Sequence, residues 1–416
     1  MTLTGLLLLI AGIALGVWLF ANLFISKPDG IFGWIYNYLR YFLAVFFLFS
    51  GAVKAIDAKG TGYKLVDYFG VFGEYAPFLD GLWNFGIENA LAIAFFTIVL
   101  ELFLGFTLLF GVFKKLTLFL YAGLLVFFTF LTGFTTRTGK VTDCGCFGDF
   151  LKIEPFQSFQ KDLLLVAIFI VILLFAKKYL KPMFKSSALG YGLVVLLTAA
   201  TIWFSYYNIT HLPIKDFRPY AIGTDLNKCT NMEGLDPGEK QIFYQMVNTN
   251  GEKKEMESKE YMSSQIWKDK SWKIEGEPRE VVIRKAELPK CKDFEIETAN
   301  GELIQEDIMS NPNYNFLVTA YNLDKSSDEG FEMMNKLTSQ LKQKGYELNG
   351  LTGSNIATAN AKSNNTVSFN NLDAIPIKTM IRANPGIILV KDGIIKGKWH
   401  YNDLPTIEDL NKEFGI

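Results

Sequence analysis

Six long apolar runs, at residues 3–25, 36–53, 90–112, 116–134, 163–176 and 189–207, fill the first half of this 416-residue chain. A helix needs about 20 apolar residues to cross a hydrocarbon core, where every backbone polar group must be satisfied within the segment. The runs therefore predict an α-helical membrane bundle of six spans, with the lipid bilayer as its first partner. The first run lacks a basic n-region and a small-residue cleavage site, so it reads as a retained span rather than a removed signal. The fifth is short and is expected to extend into 177–180, its lysines snorkelling to the interface.

After Asn208 the composition is that of an ordinary water-facing protein. The chain carries 41 Lys and Arg against 42 Asp and Glu, which argues against a nucleic-acid partner. The loops after the first, third and fifth runs, with the first turn or so of the second run, hold Lys27, Arg40, Lys114, Lys115, Lys177, Lys178, Lys181 and Lys185, with only Asp29 opposing them. The loops after the second and fourth runs hold a similar number of basic residues but many acids. Counting Lys and Arg, the positive-inside rule gives a modest preference for placing the N-terminus, the loop between the fourth and fifth spans, and everything after Tyr207 outside the cytoplasm. In a bacterial cell this means the inner (cytoplasmic) membrane, with the C-terminal part in the periplasm. Two spans separate that loop from the C-terminal part, so both share one compartment whichever way the bundle faces.

Residues 211–291 read as a β-rich domain, with strands at 240–247, 271–274 and 279–284 and a turn at Thr249-Asn250-Gly251. From 292 to 416 the order becomes strand (294–297), strand (315–321), helix (328–344), strand (346–351), strand (387–390), strand (394–399), helix (407–414). Phe331, Met334, Leu337 and Leu341 give the first helix its apolar spacing, and Asp392-Gly393 marks a hairpin. The order resembles the thioredoxin fold, with Asn384-Pro385-Gly386 where that family keeps a cis-proline. Thioredoxins carry Cys-X-X-Cys after the central strand. Here that stretch, Tyr321-Asn322-Leu323-Asp324-Lys325-Ser326-Ser327-Asp328, holds no cysteine. The resemblance implies a thioredoxin-like α/β module used for binding or scaffolding.

The most distinctive chemistry lies between the fourth and fifth runs, at Asp143-Cys144-Gly145-Cys146-Phe147-Gly148-Asp149. Cysteines one residue apart close a ring too small to stabilise a fold by chain entropy, and strained, exposed disulfides are the exchanging kind. The pattern points to a redox pair rather than a staple. Arg137, Lys140, Lys152 and Lys161 lie close in sequence, and positive charge favours a thiolate. The fifth span is expected to begin near Lys161-Asp162, turning a helix dipole toward the loop. Asp143, Asp149 and Asp162 are candidate proton acceptors. A metal site would want three or four ligands, and the two histidines, His211 and His400, are remote in sequence, so none is expected.

The second to fifth runs resemble the MauE/DoxX family of four-helix membrane proteins. The resemblance rests on Arg40-Tyr41-Phe42 through Ser50-Gly51-Ala52-Val53-Lys54, on Leu100-Glu101-Leu102, and on Cys144-Gly145-Cys146-Phe147-Gly148 followed by Phe159-Gln160-Lys161-Asp162. It implies disulfide handling outside the cytoplasm and, through DoxX relatives, a quinone as cofactor.

Glu101 sits mid-span in an otherwise uncharged run, a functional-site hypothesis by default. It reads equally as a proton relay or quinol acceptor and as half of a structural pair with Arg40 or Lys54. Arg40 and Lys54 flank the second span and are expected to snorkel; the resemblance would make them quinone neighbours. Phe127, Phe128 and Phe130 read as lipid-facing rather than as a quinone pocket. Cys229 and Cys291 are favoured as a structural disulfide, with a shuttle pair as the alternative.

The expected division is a first helix and loop (1–35), a MauE/DoxX-like four-helix domain (36–182), a sixth helix (183–210), then the β-rich (211–291) and thioredoxin-like (292–416) parts. The expected function is thiol–disulfide exchange between the Cys144 loop and an extracytoplasmic protein or a membrane quinone. Two alternatives stand beside it, a non-catalytic assembly factor and a small-molecule carrier using Glu101.

Overall fold

A computed structural model of the protein describes residues 2–25, 27–141 and 145–416. The chain opens with α1 (Leu3–Phe20), continued by a π-helical turn at Ala21–Ile25, and α2 (Gly30–Ile56). Two helices outside the apolar runs, α3 (Ala58–Tyr75) and α4 (Asp80–Glu88), lead to α5 (Ala90–Phe110), α6 (Lys114–Thr138), α7 (Pro155–Tyr179) and α8 (Ser187–Thr210). Among the described residues, the six helices long and apolar enough to cross a membrane are α1, α2, α5, α6, α7 and α8. Their outward side chains, such as Leu8, Phe119, Phe130, Leu174 and Trp203, are exposed. In a bilayer those faces meet lipid. The protein is a multi-pass membrane protein.

Lipid tails are as apolar as leucine, so close backbone approach rather than hydrophobic burial holds such helices together. The contact between α2 and α5 shows how. A Cβ at Gly51 would fall 2.7 Å from Leu102 Cγ, and one at Gly105 would fall 2.7 Å from Leu48 Cγ. Each glycine admits a leucine from the facing helix, and this close fit brings Ser50 and Lys54 of α2 against Glu101 of α5.

Arg40 departs from the snorkelling expectation. Helix α2 starts at Gly30, so Arg40 lies about three turns inside it rather than at its end. It is buried, and its guanidinium donates to the carbonyls of Leu108 (2.7 Å), Leu109 (2.7 Å) and Lys181 (2.9 Å). Those carbonyls lie at or beyond helix ends, where intrahelical partners are missing. At this same end of the bundle Lys181 pairs with Asp29 at 2.6 Å, joining two of the basic loops. Lys54 does not snorkel either, being 4% exposed.

Beyond α8 and a short α9 (Leu226–Thr230) come two sheets. The first is antiparallel: β1 (Glu239–Asn248) pairs with β2 (Lys253–Glu257) on one edge, and with β3 (Trp272–Ile274) and β4 (Arg279–Arg284) along the other. Helix α10 (Ser258–Ser264) follows β2. This sheet is an excursion from a clip: Cys229 and Cys291 are bonded, with Cα atoms 5.1 Å apart, and Cys291 N–H also donates to Cys229 O at 3.0 Å.

The second sheet has order β7-β6-β5-β8-β9. Its elements are α11 (Gln305–Ser310), β5 (Asn315–Ala320), α12 (Asp328–Gln343), β6 (Glu347–Thr352), α13 (Ile356–Lys362), β7 (Ser368–Asn371), α14 (Ala374–Met380), β8 (Gly386–Lys391), β9 (Ile394–His400) and α15 (Ile407–Phe414). Strands β5, β6 and β7 run parallel, while β8 is antiparallel to both β5 and β9. Central β5 is buried throughout, and an apolar core lies on each face of the sheet. Tyr220, Leu226 and Cys229, which precede the first sheet, belong to one of those cores. The peptide bond Asn384–Pro385 is cis.

The expected strand at 294–297 does not form. Phe294 and Ile296 turn into the core, and only Glu297 pairs, in isolated bridges to Asn371 and Leu303. Segments α13, β7 and α14 fill the stretch before the cis-proline, where no local pattern predicts an element.

Candidate functional site

Of the seven residues from Asp143 to Asp149, the first two lie outside the described residues, so Asp143 and Cys144 have no structural account. Gly145 has φ = 66°, in the left-handed region that a side chain opposes. Cys146 is half-buried and packs against the main apolar core of the bundle. Its carbonyl accepts a hydrogen bond from Ser50 Oγ at 3.0 Å.

Ser50 connects that loop to buried charge. Its Oγ lies 3.4 Å from Glu101 Oε2, and Lys54 Nζ lies 2.5 Å from Glu101 Oε1. The Glu101 and Lys54 side chains are 1% and 5% exposed. Lys54 also stands over the ring of Phe128, 4.7 Å from its centroid. A second buried pair lies on α7: Lys161 Nζ is 2.6 Å from Asp162 Oδ1, and Thr132 Oγ1 of α6 donates to Asp162 Oδ2 at 2.8 Å. Lys161 stands over the rings of Phe46 and Phe147, the latter next in sequence to Cys146. Two neutral ion pairs thus lie in the protein interior by the cysteine loop.

The helix-dipole expectation needs correction. Helix α7 begins at Pro155, with the proline at its first position, six residues before Lys161. Lys161 and Asp162 are therefore second-turn residues facing inward, not groups at the helix mouth. Lys140 is taken by Glu74 at the end of α3. Asp149 faces the C-terminal part of the chain instead.

That contact was not legible in the sequence. Arg382, two residues before Asn384, donates from Nε to both Asp57 oxygens (2.9 and 3.0 Å), and from Nη2 to Asp57 Oδ2 (2.8 Å) and Asp149 Oδ2 (2.9 Å). Asp57 closes α2 and caps α3, accepting from Gly60 N–H at 3.0 Å. Lys59 donates to the Arg382 carbonyl at 2.7 Å and lies 3.5 Å from His400 Nε2. Behind them, Asp216 bonds both Arg218 and Lys398. The loop between the fourth and fifth spans and the C-terminal region therefore meet on one side of the bundle.

Burial alone would raise the Asp57 pKa, but the Arg382 charge and hydrogen bonds, with Arg218 and the Gly60 amide, hold it at about 2. Burial lowers Lys59 to about 8, opposed by Asp57. Burial and then Arg218 lower Lys398 to about 8, against the pull of Asp216. Burial, Lys59 and His211 keep His400 neutral, at about 3. A depressed carboxylate stabilises the folded junction above its unfolded pKa, and that contribution is lost as pH falls through the folded value. Asp57 should therefore contribute roughly 2 kcal/mol above pH 4 that disappears toward pH 2. In thermal scans of the purified protein, Asp57→Asn is expected to lower Tm at pH 7 and to flatten the fall between pH 4 and 2. An unchanged acid limb would refute the assignment.

Glu101 and Lys54 hold each other, and Arg40 lies about 21 Å along α2 from Lys54 by helical rise. All three are buried with protein partners.

Residues 32–177, about a third of the chain, match the model of a family described as methylamine utilisation protein MauE. The match takes in α2 to α7 and the cysteine loop, and over that stretch the chain is a MauE-like membrane protein. No curated protein and no solved structure matches the chain.

Proposed function

We propose that this protein carries out thiol–disulfide exchange at the extracytoplasmic face of the membrane, with Cys144 and Cys146 as the exchanging pair. The observation that carries this reading is the hydrogen bond from Ser50 to the Cys146 carbonyl. It joins a Cys-Gly-Cys loop to the buried Lys54–Glu101 pair. A loop serving only as a connection would have no need of two buried ion pairs beside it, each costly to desolvate.

In the exchange, one loop thiolate attacks a client disulfide sulfur. The client S–S bond breaks, a mixed disulfide forms, and the other client sulfur leaves as a thiolate. The second loop thiolate attacks the loop sulfur of the mixed disulfide, closing Cys144–Cys146 and freeing the second client sulfur. Two electrons pass from loop to client, and the protons given up by the loop thiols balance those taken by the client thiolates. Run backwards, the same steps oxidise a client dithiol. Each candidate acceptor among the described residues has a cation beside it, Asp149 with Arg382, Asp162 with Lys161 and Glu101 with Lys54, and of these Glu101 is joined to the Cys146 carbonyl through Ser50.

The periplasmic side of an inner membrane is the compartment this chemistry fits, since disulfides persist there. The description of the matching family suggests a role in a membrane process linked to methylamine utilisation; extracytoplasmic protein thiols are the partners the exchange itself would require. The C-terminal module is read as thioredoxin-like, supported by its strand order. Without cysteines at 321–328 it would bind rather than react. We read the Cys229–Cys291 bond as structural, because it clips the base of the first sheet. The assembly-factor alternative predicts full biological activity with both loop cysteines replaced. The carrier alternative has no observation in its favour, since Glu101 is closed off by Lys54.

Trapping tests the proposal. Cys146→Ser and Cys144→Ser variants are expected to accumulate mixed disulfides with a client, separable on non-reducing gels and identified by mass spectrometry. Absence of adducts from both variants, together with a wild-type pair inert to reductant, would remove the oxidoreductase reading.

A further inference from the structure

The side of the C-terminal module that a thioredoxin-like domain would turn toward a client is turned here onto the bundle. Tyr321, directly after β5, packs edge-on against Tyr63 of α3, with centroids 6.2 Å apart. Lys378 of α14 stands over both rings, at 5.1 and 5.2 Å. Arg382, beside the cis peptide, reaches Asp57 and Asp149 and lies 5.2 Å above Tyr63. Phe150, next to Asp149, meets Phe217 of the segment after α8, with centroids 5.2 Å apart. The docked surface therefore holds the stretch that carries Cys-X-X-Cys in thioredoxins and the cis-proline loop together, against the loop of Cys146.

The character of this junction matters as much as its position. Among the described residues, none of the apolar cores runs across it: those of the bundle and those of the C-terminal sheet share no residue. Charge, cation–π contacts and a few ring edges hold it. Interfaces of this polar kind between domains of one chain separate and reform, whereas broad apolar ones do not. Asp149 stands three residues beyond Cys146, so the same guanidinium that clamps the module to Asp57 also clamps the cysteine loop.

We propose that the C-terminal module is a detachable cap over the cysteine loop, and that Arg382 is its latch, bridging Asp57 on the bundle to Asp149 on the loop. The functional meaning of the cap rests on the exchange proposed above; its existence does not. A client protein gains the loop by displacing the module from the acidic and aromatic surface formed by Asp57, Asp149, Tyr63 and Phe150. Arg382 is a positioning residue, acting on the loop through Asp149.

The test compares a bulky and a small thiol probe on the full-length protein in nanodiscs. A Cys144→Ser background leaves Cys146 as the loop thiol, and the protein is treated with mild reductant first. In Arg382→Ala, labelling of Cys146 by a 5-kDa polyethylene-glycol maleimide is expected to accelerate on the order of tenfold, the change given by about 1.4 kcal/mol of lost docking. Labelling by N-ethylmaleimide should change far less, and Arg382→Lys should fall between the two. Lys378→Ala keeps Arg382 and removes the cation–π contact to Tyr63 across the junction, so it covers the case in which Arg382→Ala misfolds. Its bulky-probe rate is also expected to rise. Equal acceleration of both probes, or no acceleration in either variant, overturns the cap. The readout needs no client, so a cap can be found in a protein that fails the trapping test, and the reverse.

Discussion

Replacing Lys54 by Met, or Glu101 by Leu, is expected to cost the bundle about 3–5 kcal/mol, while the double replacement recovers most of that loss. The two side chains are 5% and 1% exposed and lie 2.5 Å apart, so either one alone would be left as an uncompensated charge away from water. The pair itself need not be a net stabiliser, because desolvating both ions offsets their attraction, and two apolar side chains of similar volume fill the space without that penalty. Thermal aggregation of the three variants in detergent, followed by size-exclusion chromatography, measures the pattern. Single variants as stable as the parent would show that the site admits water. The double variant also separates structure from chemistry. If Glu101 takes a proton from the loop, the folded double variant exchanges disulfides more slowly than its stability explains.

The second large effect is expected at Cys229 and Cys291. The bond closes a separation of 62 residues, worth about 4 kcal/mol in the chain-entropy estimate. Both cysteines sit in the same apolar core as Leu226, Ile296 and Ile395. With both replaced by Ser, that core and the stem of the first sheet should loosen together, giving early protease cuts between 231 and 290 and a lower Tm for the C-terminal part. The bundle, sharing no core with it, should melt as before. Indifference of the proteolytic pattern to the replacement would rule out a structural role and return attention to a shuttle.

The two predictions rest on features of unequal legibility in the sequence. A membrane span announces itself because lipid demands an unbroken apolar stretch, and all six runs correspond to helices. Arg279–Arg284, Ile407–Phe414 and the hairpin turn at Asp392-Gly393 were equally plain, because alternation, capping residues and turn chemistry are local. What failed was positional inference from a span edge. Starting the second span at residue 36 put Arg40 near its end, whereas six further residues of helix carry it into the interior. Helices α3 and α4 escaped notice because their apolar residues are broken by Gly60, Gly62, Gly70 and Gly73 and by charges. The candidate site was legible as an inventory, with Cys146, Glu101, Lys54, Lys161 and Asp162 all singled out and Cys144 outside the described residues. Its wiring was not, since Ser50 and Cys146 are 96 residues apart and Arg382 and Asp57 are 325 apart. No local rule reaches that far.

The Lys54–Glu101 pair also bears on how such a chain enters a bilayer during synthesis. The two residues emerge from the ribosome 47 positions apart, so Lys54 is threaded before its counter-ion exists. A lone lysine at a span's centre costs about 2.5–3.5 kcal/mol on insertion scales. Lys54 lies in the last turn of α2 and can wait at the headgroups with its ammonium hydrated. Lys161 and Asp162 are neighbours in the chain and enter already neutralised. The nascent bundle can therefore complete its interior only when α5 arrives beside α2, which makes that helical pair the step on which assembly in the bilayer turns.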